Sequence, residues 1–144
     1  MPTSSYAIML FHKQATSARV RFLLSPRNSI CFAAEIPRLA SLMDEEEILD
    51  KASTVEHHPG MLVRALEREM GLARNDIELV TDFRVRLDIP GQILPVYLAF
   101  FKNIDPPFAE AQAIAARFIP ITEARGLPPV ELQLLQRAYQ YIMG

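Results

Sequence analysis

Cysteine and glycine are scarce in this sequence. Cys31 is the single cysteine among 144 residues, so an internal disulfide and a cysteine-rich zinc site are both excluded. Because Cys31 stands in a short apolar run, we interpret it as a small core residue rather than a nucleophile. The five glycines are scattered, which leaves no glycine-rich loop of the kind that cradles phosphates.

An excess of basic charge and long apolar runs are also missing. The formal net charge is −2, whereas a dedicated nucleic-acid binder normally shows a basic stripe. No apolar stretch approaches the roughly 18 residues of a membrane-spanning helix, and the N-terminus does not resemble a signal peptide. We therefore expect one soluble cytoplasmic domain over residues 1–144, with neither nucleic acid nor membrane as a partner.

The apolar pattern alternates between segments typical of strands and segments typical of helices. It predicts strands at 4–11, 19–24, 29–34, 77–87, 93–101 and 117–121, and helices at 59–70 and 129–143. Residues 109–116 are interpreted as either a short helix or an irregular segment. Pro129 lies near the start of the last helix, whose predicted buried face is Leu132, Leu135, Ala138, Tyr139 and Ile142. Residues 12–18 are interpreted as a polar turn, and 38–43 and 45–52 as short helical turns. The order predicts an α+β fold, layered α/β/α, with a mixed sheet between helices.

Two polar clusters before the central helix each allow two interpretations. Asp44–Glu47 is acidic and could supply oxygen ligands to a hard cation such as Mg2+, but acids are also favoured at a solvated helix start. His57 and His58 suggest a metal too, although adjacent side chains point to different sides and no third ligand is spaced with them. We favour the solvated interpretation for both clusters.

The central stretch, residues 59–72, has its own helix start and stop signals. Pro59 suits a first helical position and Gly71 suits the left-handed residue that ends a helix. The apolar stripe of this helix consists of Leu62, Val63, Leu66 and Met70. The other face carries Arg64, Glu67 and Arg68, with Glu69 to one side. The pattern therefore predicts a short amphipathic helix packed on a sheet.

The spacing of polar residues around this helix matches a known motif. Seven residues separate Glu56 from Arg64, and the chain then reads Arg-x-Leu-x-x-Glu-x-Gly-Leu. This resembles the Nudix box, Gly-x5-Glu-x7-Arg-Glu-U-x-Glu-Glu-x-Gly-U, where U is aliphatic. The matching positions are Glu56, Arg64, Leu66, Glu69, Gly71 and Leu72, and the departures are Asp50 for Gly, Ala65 for Glu and Arg68 for Glu.

The resemblance implies a Nudix-like fold and a defined chemistry. Nudix enzymes hydrolyse a nucleoside diphosphate linked to another group, with Mg2+ or Mn2+ held by carboxylates of the box. Carried over by position, Glu69 becomes a metal ligand and, with Glu56, a catalytic carboxylate, while Glu56 and Arg64 brace the loops around the helix. Arg64 and Arg68 are the candidate phosphate contacts, because arginine matches phosphate geometry. Ala65 and Arg68 remove two carboxylates that the metal site needs.

Three hypotheses about function follow. The first is a Nudix-fold protein whose diphosphohydrolase activity is weak or lost and which binds a nucleotide or another phosphorylated ligand. The second is an active Mg2+- or Mn2+-dependent hydrolase that recruits carboxylates from Asp44–Glu47 or Glu110. The third is a non-catalytic interaction module or homodimer. Its candidate contact residues, which we interpret as core in preference, are Tyr97, Phe100, Phe101, Tyr139 and Tyr141.

Overall fold

The structure is a computed structural model that describes residues 6–43 and 59–144. Its strands are β1 (Ala7–Lys13), β2 (Val20–Leu24), β3 (Phe32–Ala33), β4 (Ser41–Leu42), β5 (Ile77–Leu79), β6 (Val85–Ile89), β7 (Gln92–Phe101) and β8 (Arg117–Ile119). Its helices are α1 (Gly60–Met70), α2 (Phe108–Gln112) and α3 (Pro129–Met143), and a 3-10 turn spans Ile121–Glu123. Some of the predictions fall outside the described residues, namely those on Asp44–Glu47, Asp50, Glu56, His57, His58 and residues 45–52.

A mixed sheet forms the middle of the fold. Its strands lie in the order β4-β6-β7-β1-β2-β8, with β3 paired to β1 and β5 paired to β7. Among the described strands, β1 and β7 run parallel and all other registered pairs are antiparallel. The predicted α+β class with a mixed sheet is confirmed.

Helices cover both faces of this sheet. On one face α3 packs through Leu134, Leu135 and Ala138. On the other face α1 packs through Val63 and Leu66, and α2 lies beside α1. Because each face of a sheet must bury its apolar side chains against another layer, the two cores produce an α/β/α arrangement.

Strand β1 supplies side chains to both cores. Ala7, Met9 and Phe11 point towards α3, whereas Ile8 and Leu10 point towards α1. All five are buried. A strand that is covered on both faces reads as a continuous apolar run rather than an alternating one, which explains the sequence of this segment.

The alternating segment 77–87 is not one strand, and that prediction was wrong. Five residues separate Leu79 from Val85, whereas only two residues separate their partners Ala99 and Val96 on β7. The excess of three residues is an odd number, and side chains of a strand alternate between faces. As a result β5 faces the α1 core and β6 faces the α3 core.

Two proline signals in the β6–β7 region are explained by the pairing. Pro90 and Gly91 form the predicted turn between the strands, with a positive φ of 88° at Gly91. Pro95 was expected at an edge or a bulge. Strand β7 lies inside the sheet, but its registered pairing with β1 begins only at Val96. Pro95 therefore pairs with Arg86 of β6 and precedes the parallel ladder, where its missing N–H costs nothing.

Several predicted boundaries shift. Residues 38–43 contain the short strand β4 instead of a helical turn, the strand predicted at 29–34 contracts to β3, and the segment 109–116 is helical only at its start, in α2. Helix α3 has the predicted bounds and Pro129 in its first turn. Its buried face is rotated from the predicted one, because Leu134 is buried whereas Tyr139 is 36% exposed.

His12, predicted to start a turn, is a buried residue of β1. It is 0% exposed, and its Nε2–H donates to the carbonyl oxygen of Asn103 at 2.7 Å. Within the described residues, Nδ1 of His12 and Oδ1 of Asn103 are buried without a hydrogen-bond partner. The contact ties the end of β1 to the loop that follows β7. In the described part of the chain, none of the helices is long and apolar enough to cross a membrane.

The end of α1 yields a stability prediction. Gly71 has a φ of 74°, and a methyl group added to its Cα would meet no other atom within 4 Å, so the backbone alone penalises a side chain. We expect Gly71→Ala to lower the free energy of unfolding by about 1 kcal/mol in urea titrations. Gly126→Ala is the control, because Gly126 also has open space but no positive φ. Equal losses in both variants would contradict the prediction.

Candidate functional site

Helix α1 begins and ends close to the predicted residues. Pro59 lies one position earlier than expected, as the N-cap, and its carbonyl oxygen accepts the N–H of Val63 at 3.1 Å. At the other end Gly71 is left-handed, its N–H donates to the carbonyl of Arg68, and the N–H of Leu72 donates to the carbonyl of Glu67 at 2.8 Å. This pair of bonds is the Schellman termination that a glycine permits.

Arg64 connects α1 to the strand that follows it. Its guanidinium donates to the carbonyl oxygen of Ile77 at 2.8 Å and to the side-chain oxygen of Asn75. Its Nε lies 3.3 Å from a carboxylate oxygen of Glu67. These three partners use three of the five N–H donors of the guanidinium. In this structure Arg64 braces the helix, which is the role that the resemblance implied for it, and its contact with a phosphate stays a prediction.

Glu67 is the residue of this region that sequence reasoning misplaced. It was expected on the solvated face, yet it is 2% exposed. One carboxylate oxygen accepts the N–H of Ile77 at 2.9 Å, and the other pairs with Arg64. A charged residue is buried in this way only when it is paired and hydrogen-bonded. The signal in the sequence was the spacing of three residues between Arg64 and Glu67, which places the two side chains on neighbouring positions of a helix.

Arg68 and Glu69 lie on the exposed side of α1. Arg68 occupies the last turn, where a cation also stabilises the negative end of the helix dipole. Ala65, which replaces a glutamate of the Nudix pattern, is half-buried. Arg64 and Glu67 bind the backbone of Ile77 together, and we call this arrangement the clamp. The structure thus separates the predicted site residues, because Arg64 belongs to the clamp whereas Arg68 and Glu69 face solvent.

Carboxylates on α1 and α2 are the described candidates for holding a divalent cation. Across residues 6–43 and 59–144 no group of three or more His, Cys, Asp and Glu side chains could hold a metal ion. Mg2+ is usually bound through one or two carboxylates together with waters and substrate phosphates. On α1 the carboxylate of Glu69 is exposed, whereas the carboxylate of Glu67 is buried and bonded to Arg64 and to the N–H of Ile77. Glu110 is half-buried on α2, which contacts α1.

A second buried glutamate stabilises the opposite face. Glu131, in the first turn of α3, is 5% exposed and accepts the hydroxyl of Ser29 at 2.8 Å and the N–H of Ile30 at 2.9 Å. Cys31 follows in this loop and is 0% exposed, as its core interpretation predicted. Burial, and secondly the negative charge of Glu131, raises the pKa of the Cys31 thiol well above its usual value, while Arg27 opposes the shift.

The aromatic residues proposed for a subunit contact do not share one surface. Tyr97 and Phe101 pack on the α1 side of the sheet and Phe100 on the α3 side. Tyr139 and Tyr141 are 36% and 38% exposed. The ring of Tyr141 packs edge-on against Phe83, with centroids 5.7 Å apart, and its hydroxyl donates to Asp82.

The candidate site is therefore α1 with its exposed Arg68 and Glu69 and the internal clamp of Arg64 and Glu67. Comparison with known proteins adds no assignment to it. The chain matches no protein-family model and no curated protein.

The clamp on Ile77 predicts unequal effects of two similar substitutions. Glu67→Gln removes the charge that accepts the Ile77 N–H and pairs with Arg64, so we expect a loss of about 1.5–3 kcal/mol in the free energy of unfolding. Glu69→Gln, on the exposed side of the same helix, should change it by less than about 0.5 kcal/mol. Urea titrations of both variants measure the difference. Equal stabilities would show that Glu67 is not held as described.

Buried Cys31 predicts a protected thiol. At pH 8 a disulfide reagent should label the native chain at least about a hundredfold more slowly than the urea-unfolded chain, because attack requires an accessible thiolate. The folded pKa is raised above the ordinary value of 9.0. The folded state should therefore lose stability as the pH rises above about 9, since only the unfolded thiol ionises there. Cys31→Ala should abolish that part of the pH dependence, and rapid native labelling would contradict the prediction.

Proposed function

We propose that this protein is a Nudix-type scaffold whose diphosphohydrolase activity is weak or lost. We propose further that it binds a nucleotide or another phosphorylated small molecule without efficient cleavage. The proposal rests on the six positions that match the Nudix box and on the departures at Ala65 and Arg68. A mixed sheet between helices is compatible with it.

One observation supports the proposal more than the others. Two motif positions that support the fold in the Nudix pattern make such contacts here, because Arg64 binds the backbone at Ile77 and Gly71 ends the helix in a left-handed conformation. The two positions where the Nudix pattern has a glutamate carry a methyl group (Ala65) and a cation (Arg68) instead. Repulsion between Arg68 and a divalent ion would cost on the order of 1–4 kcal/mol, depending on the effective dielectric constant. This combination is what a scaffold without an efficient metal site would show.

An active hydrolase is the second candidate, and the placement of α2 favours it. Glu110 lies on α2, which packs beside α1 on the same face of the sheet. A carboxylate recruited from outside the motif could join Glu69 in binding Mg2+ or Mn2+. Asp44–Glu47 and Glu56 would be further sources of ligands in this hypothesis.

The partner and the compartment are also proposals. A phosphorylated small molecule is the ligand that the first two hypotheses share, and a homodimer is the prediction of the third. Light scattering at working concentration distinguishes a dimer from a monomer. A cytoplasmic location is supported by the low cysteine content of the sequence, since disulfide-rich chains are typical of oxidising compartments.

A phosphate-release assay tests the proposed function. The full chain is incubated with nucleoside triphosphates, dinucleoside polyphosphates, nucleotide sugars and dinucleotide cofactors, with Mg2+ and separately with Mn2+. We expect little turnover by the native chain and protection of its fold against heating by at least one panel member, because a ligand that binds only the folded state raises its stability. Metal-dependent turnover that disappears in Glu69→Gln, but not in the exposed control Glu78→Gln, would establish the second candidate instead.

A restored motif gives the sharper test. Ala65→Glu combined with Arg68→Glu returns both missing carboxylates to α1, and we expect it to gain metal-dependent phosphate release. Ala73→Glu combined with Arg74→Glu makes the same charge change at exposed positions beyond the helix and should gain none. Failure of the restored variant to bind metal, together with no stabilisation by any panel member, would refute the proposal.

A further inference from the structure

A cleft opens where the two parallel strands end. Its volume is about 1080 Å³, which is enough for a small organic ligand. Residues of the β1–β2 turn, of the segment after β7 and of the end of α3 line it, including Gln14, Asn103 and Gln140. Ligands of open sheets with parallel strands characteristically bind beyond the carboxyl ends of those strands.

The walls of this cleft are apolar and lie mainly on the α3 side of the sheet, although Phe101, which also lines it, belongs to the α1 core. Phe11 and Phe100 line it with ring centroids 5.9 Å apart, and Val80 and Ile142 line it as well. All four belong to the core between the sheet and α3 or pack against it. Because α1 packs on the other face, the cleft is separate from Arg68 and Glu69.

Two lysines line the cleft at this end of the parallel ladder. Phe11 and Phe100 are the last registered pair of the ladder, Lys13 is the last residue of β1, and Lys102 directly follows β7. Because alternate residues of an extended chain share a face, both lysines are expected on the side of the sheet that carries the two phenylalanine rings. Both are exposed, and both line the cleft.

Both ammonium groups lack a paired anion among the described residues. Neither lysine side chain forms an ion pair or hydrogen bond with another described residue. The neighbouring Asp105 accepts the amide of Gln14 at 2.7 Å, and Asp82 accepts the hydroxyl of Tyr141. A bound anion could therefore pair with these lysines without displacing an existing described ion pair.

We infer that this cleft binds a small organic anion with an aromatic or aliphatic body. Its carboxylate or phosphate group would lie between Lys13 and Lys102, and its body would pack on Phe11, Phe100 and Ile142. The anion gains from two cations that have no other described partner, and the body gains from the removal of apolar surface from water. This inference does not depend on the proposed Nudix-type function, because it uses no residue of α1.

Two fluorescent probes that differ in one charged group test the inference. 8-Anilinonaphthalene-1-sulfonate carries an aromatic body and an anion, whereas N-phenyl-1-naphthylamine has the same body without the anion. In titrations of the folded full chain we expect a single site for the anionic probe, with an affinity about tenfold or more above that for the neutral probe, since charge-assisted contacts strengthen binding by about that factor. Higher salt should weaken the anionic probe only.

Charge-matched variants locate the site. Lys13→Met with Lys102→Met should lower the affinity for the anionic probe about tenfold and leave the neutral probe unchanged. The control, Arg74→Met with Arg125→Met, removes the same charge from exposed positions outside the cleft and should leave both probes unchanged. Competition by 1-naphthoate and by 1-naphthyl phosphate then shows whether the site prefers a carboxylate or a phosphate. Inorganic phosphate is the control competitor that has no apolar body.

The contrary results are equally distinct. Equal affinities for the two probes would overturn the inference, because the anion would then contribute nothing. An equal loss of affinity for the anionic probe in the lysine and arginine variants would show that net charge, and not a site at the two lysines, governs binding. If inorganic phosphate displaced the probe as effectively as 1-naphthyl phosphate does, the apolar body would contribute nothing to binding and that part of the inference would be wrong.

Discussion

The parallel pairing of β1 with β7 is the constraint on which the rest of the structure depends. Two parallel strands in the middle of a sheet must be covered on both faces, and Ala7 to Phe11 are buried accordingly. The chain between these strands supplies α1 for one face, and the chain after them supplies α3 for the other. The same pairing places the ends of both strands at one edge of the sheet, where Lys13 and Lys102 line the cleft.

Two buried glutamates fasten the helices to this sheet. Glu67 accepts the N–H of Ile77 while Arg64 binds the carbonyl oxygen of the same residue, so α1 satisfies the outer edge of β5 much as another strand would. Glu131, in the first turn of α3, accepts the N–H of Ile30. Each bond to a charged acceptor contributes about 1.5–3 kcal/mol. The helices are thus fixed by polar contacts at their margins as well as by apolar packing.

The clamp involves only some of the polar side chains of α1. Arg64 and Gly71 contribute to the fold, through the contact at Ile77 and the left-handed end of the helix. Ala65 and Arg68 take no part in the clamp, and Glu69 faces solvent. Side chains of the same eleven-residue helix therefore differ in whether they hold the fold or stay accessible to a ligand. Function must accordingly be tested at the site and not deduced from the fold.

The sequence by itself determined the elements with strong local signals. The α+β class, the bounds of α3, the left-handed Gly71 and the turn at Pro90 follow from apolar periodicity and from the special backbones of glycine and proline. Only the tertiary structure decided the features that depend on distant partners. The split of 77–87 into β5 and β6 needs the register on β7, the burial of Glu67 and His12 needs backbone groups of other segments, and the placement of Lys13 and Lys102 in one cleft needs the parallel ladder. Local pattern carries no information about which backbone group, brought from elsewhere, will satisfy a polar side chain.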